Sequence, residues 1–408
     1  MRSVVGVRRR GVRWLVLAVT VACAALTSGS YLLGGSFMPE APSAASPPFP
    51  GLWTALATYD VADHADLWFF PNGATWVYAD GGWSNVTLSA GIPVNLYSNA
   101  LLTYDARDGY AVLFGGETPK LAPLSETWTF ADGRWTNLTA SVQNPPPPHH
   151  LDVMAYDSED HEVVLFGGSI AGKNLTNYNE TWTYAAGAWT NVSAPGPAPV
   201  GQMDPNAQFD HLVDDPALGY LLYYDSLGRC SGNTSFGLGS CATTWAFRGG
   251  DWTNLTPSLV PSPRIAIAAA FAYDSTSGAV VTFSLCGNSS TYTCAHESGT
   301  FEFTGTGWKD ITPSSGPAPR DFGSSVDDPA DGGIMMVGGC CWADFSGFSL
   351  RWDDVWVYAQ GSWSEREPWG GGPPVWGSDD GFWIGVGTLS ASTIAIVYVV
   401  RRIPRPEP

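Results

Sequence analysis

Between about residue 50 and residue 366, apolar and polar positions alternate in short runs broken by Gly, Asn and Asp. Examples are LLTYDARDGYAVLFGG at 101–116, VMAYDSEDHEVVLFGG at 153–168 and ETWTFADGRWTNLT at 126–139. A period of two residues predicts strands with one face buried, and the turn residues between two such runs predict hairpins. No long run has the 3.6-residue period of a helix in this part of the chain.

The hairpins recur. Pairs of aromatic residues seven apart stand at Trp76/Trp83, Trp128/Trp135, Trp182/Trp189, Trp245/Trp252, Phe301/Trp308 and Trp356/Trp363. Their surroundings match, as ETWTYAAGAWTNVS at 180–193 and TTWAFRGGDWTNLT at 243–256 show. Upstream of each pair lies a second hairpin with an Asp at its turn: Asp60, Asp105, Asp157, Asp214, Asp274 and Asp327. A carboxylate there can accept the turn amides, so turn chemistry explains the six Asp residues better than calcium does. Each unit is thus four antiparallel strands, and successive units are 52, 54, 63, 56 and 55 residues apart.

A repeat of that length and content resembles the kelch and galactose-oxidase-like propellers. The likeness rests on the Gly doublets Gly115-Gly116, Gly167-Gly168 and Gly338-Gly339 and on the Trp of the fourth strand. Phe70-Pro71, Tyr224-Asp225 and Ser284-Leu285 depart from the doublet in units one, four and five. The resemblance implies an all-β, six-bladed propeller with four-stranded antiparallel blades over residues 51–366. Packing aromatic wedges between blades accounts for the 19 Trp and 47 Gly.

The two ends have a different character. Arg2, Arg8, Arg9, Arg10 and Arg13 precede an apolar run from Trp14, and Ala22-Cys23-Ala24 offers a cleavage site, so residues 1–35 read as a signal peptide or signal anchor. Lipidation at Cys23 is a third fate. Residues 36–50 form a Pro-rich spacer and 367–381 a Gly/Pro-rich linker. Residues 382–400 are an uncharged run, followed by Arg401 and Arg402 in a tail over 401–408. The run is long enough to span a bilayer, and the arginines place the tail on the cytoplasmic side. The expectation is a cell-membrane protein with a single-pass C-terminal anchor and an extracytoplasmic propeller.

Charge sharpens the picture. The chain carries −19 overall, and residues 51–381 hold 11 basic against 36 acidic side chains, a balance near −25. Such a surface repels phosphate backbones, which excludes nucleic acid as a partner. The even set Cys230, Cys241, Cys286, Cys294, Cys340 and Cys341 suits disulfides outside the cytoplasm, within loops or between them. Sequons at Asn85, Asn137, Asn174, Asn179, Asn191, Asn233, Asn254 and Asn288 are candidate glycosylation sites, several of them by-products of the repeated W-T-N-L-T string.

In a propeller, the loops between second and third strands share a face with the connections between blades. Here those loops range from three residues (Asn72 to Ala74) to nearly twenty (Asp225 to Ala242), and all six of these cysteines are expected in them. Variation on one face of a repeat marks a binding face. Candidate ligand-binding residues there, or at the adjoining starts of innermost strands, are Lys120, His149, Lys173, Arg229, Arg264, His296, Arg320, Trp342, Asp344, Arg351, Asp353 and Asp354. The competing assignment for each cation is a pairing with one of the many carboxylates.

No Cys and Tyr match the copper site of galactose oxidases, and Asn72-Gly-Ala-Thr-Trp76 is only a fragment of a sialidase Asp box. No catalytic residue, metal or cofactor is therefore expected. The function expected is binding of a protein or glycan, with a carbohydrate-active enzyme or a structural envelope protein as alternatives.

Overall fold

The computed structural model describes residues 55–70, 73–91, 99–118, 120, 122–170, 176–177, 179–199, 210–225, 242–259, 265–286, 298–320, 323–341, 350–351 and 354–366. All belong to the unit Ser46–Pro408. The segments expected to be signal, spacer, linker, membrane helix and tail lie outside them. Among the described residues no helix is long and apolar enough to cross a membrane.

These residues form six antiparallel blades, each built on four main strands that pair in chain order. The innermost strands are Leu56–Asp60, Ala100–Asp105, His150–Asp157, Asp210–Asp215, Ile265–Asp274 and Ser324–Asp328. Each neighbours the innermost strand of the next blade, and the last neighbours the first, so the ring closes. Among the described residues no strand is shared between first and last blades. Closure comes from packing of Trp68, Phe70, Trp76 and Tyr78 against Val326, Met335, Val337, Val355 and Val357, with Ser324 Oγ donating to the Ala55 carbonyl at 2.6 Å. Burying apolar faces between blades stabilises what one blade cannot bury alone.

The tryptophan repeat has a clear cause. In every blade the Trp of the outer strand lies across from an aromatic of the third strand, as in Phe130↔Trp135 and Tyr184↔Trp189. Their ring centroids are 5.1 Å apart in both blades. The same Trp also wedges onto the preceding blade: Trp135 on Phe69 at 5.4 Å, Trp189 on Phe114 at 4.8 Å and Trp252 on Phe166 at 4.7 Å. Tilted and edge-on geometry at these distances is favourable beyond the area buried.

In five blades the turn between third and fourth strands is a two-residue hairpin in which both residues have positive φ, as Asp80 (53°) and Gly81 (73°) do, whereas blade five turns over the four residues 304–307, with Thr304 N donating to the Gly307 carbonyl at 2.9 Å. The two-residue form is the turn whose twist matches a hairpin, and Asp-Gly tolerates it. Among the described residues, two blades carry additional strands. Thr176–Asn177 pairs with the upper end of the long second strand Glu162–Ile170 in blade three, and Cys340–Cys341 pairs with Leu350–Arg351 in blade six.

Candidate functional site

The two faces of the ring differ in construction. On the lower face, the turn from first to second strand is tied by a buried carboxylate in every blade. Asp60 Oδ1 accepts from the amides of Ala62 and Asp63, Asp105 from Arg107 and Asp108, and Asp157 from Glu159 and Asp160. Asp274 accepts from Thr276. In blades four and six the capping residue is Asp215, which accepts from Leu218, and Asp328, which accepts from Ala330 and Asp331. This corrects the expectation for Asp214 and Asp327, which stand one residue earlier, where the other blades have Tyr59, Tyr104, Tyr156 and Tyr273. Burial raises the pKa of each capping carboxyl for which a shift is resolved, Asp157 and Asp215 among them, while the turn amides pull it back.

The Tyr-or-Asp position reaches the preceding blade. Tyr104 Oη accepts from the Ala62 amide at 3.2 Å, and Asp327 Oδ1 accepts from the Ser275 hydroxyl at 3.2 Å and its amide at 3.3 Å. Asp214 is held likewise by Ser158. Desolvation pushes Asp214 up to about 6 and Asp327 up to about 7, against the opposing pull of those donors.

The upper face is irregular. Its second-to-third connections occupy 70–74 in blade one, 116–126 in blade two, 226–242 in blade four and 338–354 in blade six. In blade two the connection folds on itself through Thr118 N to Ala122 O and Leu124 N to Gly116 O, and it presents Lys120 to solvent. His149 is 1% exposed at the start of blade three, its ring 6.5 Å from Phe114.

Arg320 and Asp354 meet. The guanidinium is 0% exposed; Nη1 donates to Asp354 Oδ1 and to the Gly338 carbonyl at 3.0 Å, Nη2 to Asp354 Oδ2 at 2.9 Å, and Nε to the Ala318 carbonyl at 3.1 Å. Asp354 Oδ2 also accepts from Trp356 Nε1 at 2.8 Å. This two-pronged pair joins both ends of the upper connections of blade six. Arg351 lies on a described strand, but its side chain is not described, as for Cys286, Cys340 and Cys341. Lys173, Arg229, Arg264, His296, Trp342, Asp344 and Asp353, with Cys230, Cys241 and Cys294, lie outside the described residues.

The sequons at Asn85, Asn137, Asn191 and Asn254 are exposed, and each amide oxygen accepts from the backbone N–H two residues on. The following hydroxyls of Thr87, Thr139, Ser193 and Thr256 then accept from Thr75, Thr127, Thr181 and Thr244. Asn179 is also exposed; Asn174, Asn233 and Asn288 lie outside the described residues.

At the upper end of blade four stands a group that the sequence reading did not single out. Asp210 and Asp225 are cross-strand partners, and the hydroxyl of Tyr223 donates to Asp210 Oδ2 at 2.6 Å. Burial keeps that phenol protonated, with its pKa well above the ordinary value. On the innermost strand, Leu212 packs toward blade three, and alternation puts Asp210 on the same side. On the other side His211 stacks on Phe271 of blade five at 4.6 Å and 7°, and burial lowers its pKa to about 4. The signal was present in Tyr224-Asp225, which replaces the Gly doublet of blades two, three and six. Two carboxylates side by side, one oriented by a phenol, favour a hydroxyl-rich or cationic group.

No family model matches the chain. Solved structures similar to it include that of YjhT, with 12% identity and a TM-score of 0.49 over 81% of this chain and 99% of that one. Another is the SapL1 lectin in complex with alpha methyl fucoside, with 10% identity and a TM-score of 0.45 over 77% of this chain and 95% of that one. At such identities the similarity concerns the fold alone.

Proposed function

We propose that the chain is a kelch-type propeller, anchored in the cell membrane by residues 382–400, that binds a protein or glycan outside the cytoplasm through its upper face. One observation carries the reading: the contrast between the faces. Six lower turns are short and capped by the same buried Asp, whereas the upper connections differ from blade to blade in length and content. A repeat protein that needed only to fold has no reason to diversify one face. The test uses the full-length protein on glycan arrays and in protein pull-downs, with the upper loops of blades four to six replaced by the short loop of blade one. Loss of binding supports the reading; unchanged binding after all three swaps sinks it.

The Asp210–Asp225 pair favours a second reading, a carbohydrate-active enzyme. Directly opposed residues on antiparallel strands have Cβ atoms about 4.5–5.5 Å apart. Retaining glycosidases place their two carboxyl groups about 5–5.5 Å apart. Under this reading the full-length protein hydrolyses aryl glycosides and Asp210→Asn or Asp225→Asn abolishes turnover; no turnover across a substrate panel removes it.

A further inference from the structure

The seam between the last blade and the first is built unlike the others. Where blades one to five offer a Thr to the next blade's Trp, blade six has Val355; where blades one to four carry Phe or Tyr at the end of the second strand, it has Val337. This seam also contains Asp66, 0% exposed in the second strand of blade one. The corresponding residues, each opposite the Tyr-or-Asp position of the innermost strand, are Ala111, Val163, Leu221, Val280 and Ile334. Five blades are aliphatic where blade one has a carboxyl.

Strand alternation fixes its direction. Leu67 and Phe69 pack toward blade two and Trp68 and Phe70 toward blade six, so Asp66 faces blade six. Both its oxygens are buried without a hydrogen-bond partner among the described residues. The groups around it are acidic or phenolic. Asp327, Asp328 and Asp331 act on it from blade six, and Tyr59, with Asp60 beside it, lies on its own innermost strand. Tyr78, opposite it in the third strand, spends its proton on Asp331 at 2.8 Å. The cation of this region, Arg366, is 3.7 Å from Asp331 and half exposed, a surface pair worth little.

We propose that Asp66 is a proton-operated latch: the seam that closes the ring does so around a neutral carboxylic acid, and raising the pH loosens that seam. A charged carboxylate with no donor among the described residues, facing three others, would carry the full cost of burial, so the folded state keeps the proton. Desolvation, and then Asp328, Asp331 and Asp327, push this carboxyl up to about 9. An exposed Asp in the unfolded chain titrates near 3.9. Between those two values the folded state holds one more proton than the unfolded, so stability falls as pH rises from about 4 to about 9 and is level above.

The test compares the full-length wild type with Asp66→Asn and Asp66→Leu, the second matching the other five blades, by urea midpoints from pH 4 to pH 10. Each variant is expected to gain on the wild type as pH rises, the ratio of folding equilibrium constants changing by up to about tenfold per pH unit and levelling near pH 9. Other titrating carboxyls cancel in the comparison. Hydrogen exchange, corrected for its intrinsic pH dependence, is expected to accelerate above pH 8 at residues 65–69 and 324–328 and not at the blade two–three seam. A difference independent of pH in both variants overturns the proposal, as does uniform acceleration around the ring.

Discussion

Trp135 donates its indole N–H to the Thr75 hydroxyl of the preceding blade at 2.9 Å, and the relationship recurs as Trp189 to Thr127, Trp252 to Thr181 and Trp363 to Thr300 at 2.8–3.2 Å. A buried indole needs an acceptor, and a strand-end hydroxyl supplies it across the seam. The fourth–fifth seam differs: Trp308 Nε1 is buried without a partner among the described residues, although Thr244 holds the equivalent place. Thr181→Val is therefore expected to cost about 1–3 kcal/mol, the penalty of orphaning a buried donor. Thr244→Val, which breaks no such bond, is expected to cost less than 1 kcal/mol on the same scale. Urea titration of the two variants decides it, and equal costs would refute the seam argument.

Arg320 and Asp354 make the second prediction. Removing either partner leaves a buried charge uncompensated, at a cost of about 3–5 kcal/mol. Arg320→Met is expected to lose that much and Asp354→Asn nearly as much, while the double variant loses less than the sum. The measurement is a double-mutant cycle in urea; strict additivity would show that the two charges do not depend on each other.

Much of this was legible in the sequence. The Trp spacing, the capping aspartates and the four-strand units came from residue alternation and turn chemistry, because those are local rules repeated six times. The pairing of Arg320 with Asp354 was not legible, since 34 residues separate them and only the fold makes them neighbours. The shift from Asp214 and Asp327 to Asp215 and Asp328 has a similar origin. Each site offers two adjacent aspartates, and which one caps the turn depends on which side of the strand faces the neighbouring blade. Asp66 was hidden because a single carboxyl in ADLWF leaves an apolar strand pattern almost intact.

The repeated sequons have a structural purpose. Blade five keeps the same arrangement with Asp310, whose carboxylate accepts from Thr312 N at 2.9 Å while Thr312 Oγ1 accepts from Thr300 N at 3.0 Å. Asp cannot be N-glycosylated, so the geometry is wanted for itself. Asn254→Asp is expected to leave the unfolding midpoint unchanged, whereas Asn254→Ala loses about 1 kcal/mol with the turn hydrogen bond. Circular-dichroism melts of unglycosylated protein provide the comparison; a loss in the Asp variant as large as in the Ala variant would reject the structural explanation.

The last prediction concerns how blades choose their neighbours. Innermost strands in blades four and six have Asp214 and Asp327 as their next-to-last residues, and the turns these reach begin with Ser158 and Ser275; where the strand has Tyr, the turn begins with Val61, Ala106, Pro216 or Pro329. A carboxylate needs the seryl donor, and a phenol fills the same gap without it. Asp327 is raised by burial to about 7, above the unfolded value near 3.9. The folded chain therefore binds the extra proton between about pH 4 and pH 7, and stability falls across that window and is level above it. Ser275→Ala removes a donor to the ionised form, raises the folded pKa further and extends the fall to higher pH. The variant should match the wild type at pH 4 and be weaker at pH 8. Adding Asp327→Tyr should remove that pH dependence and recover stability, with a coupling of about 0.5–3 kcal/mol in the cycle. A coupling near zero at pH 8 would mean that the Ser–Asp and Tyr pairings are coincidences of the repeat rather than rules by which adjacent blades fit.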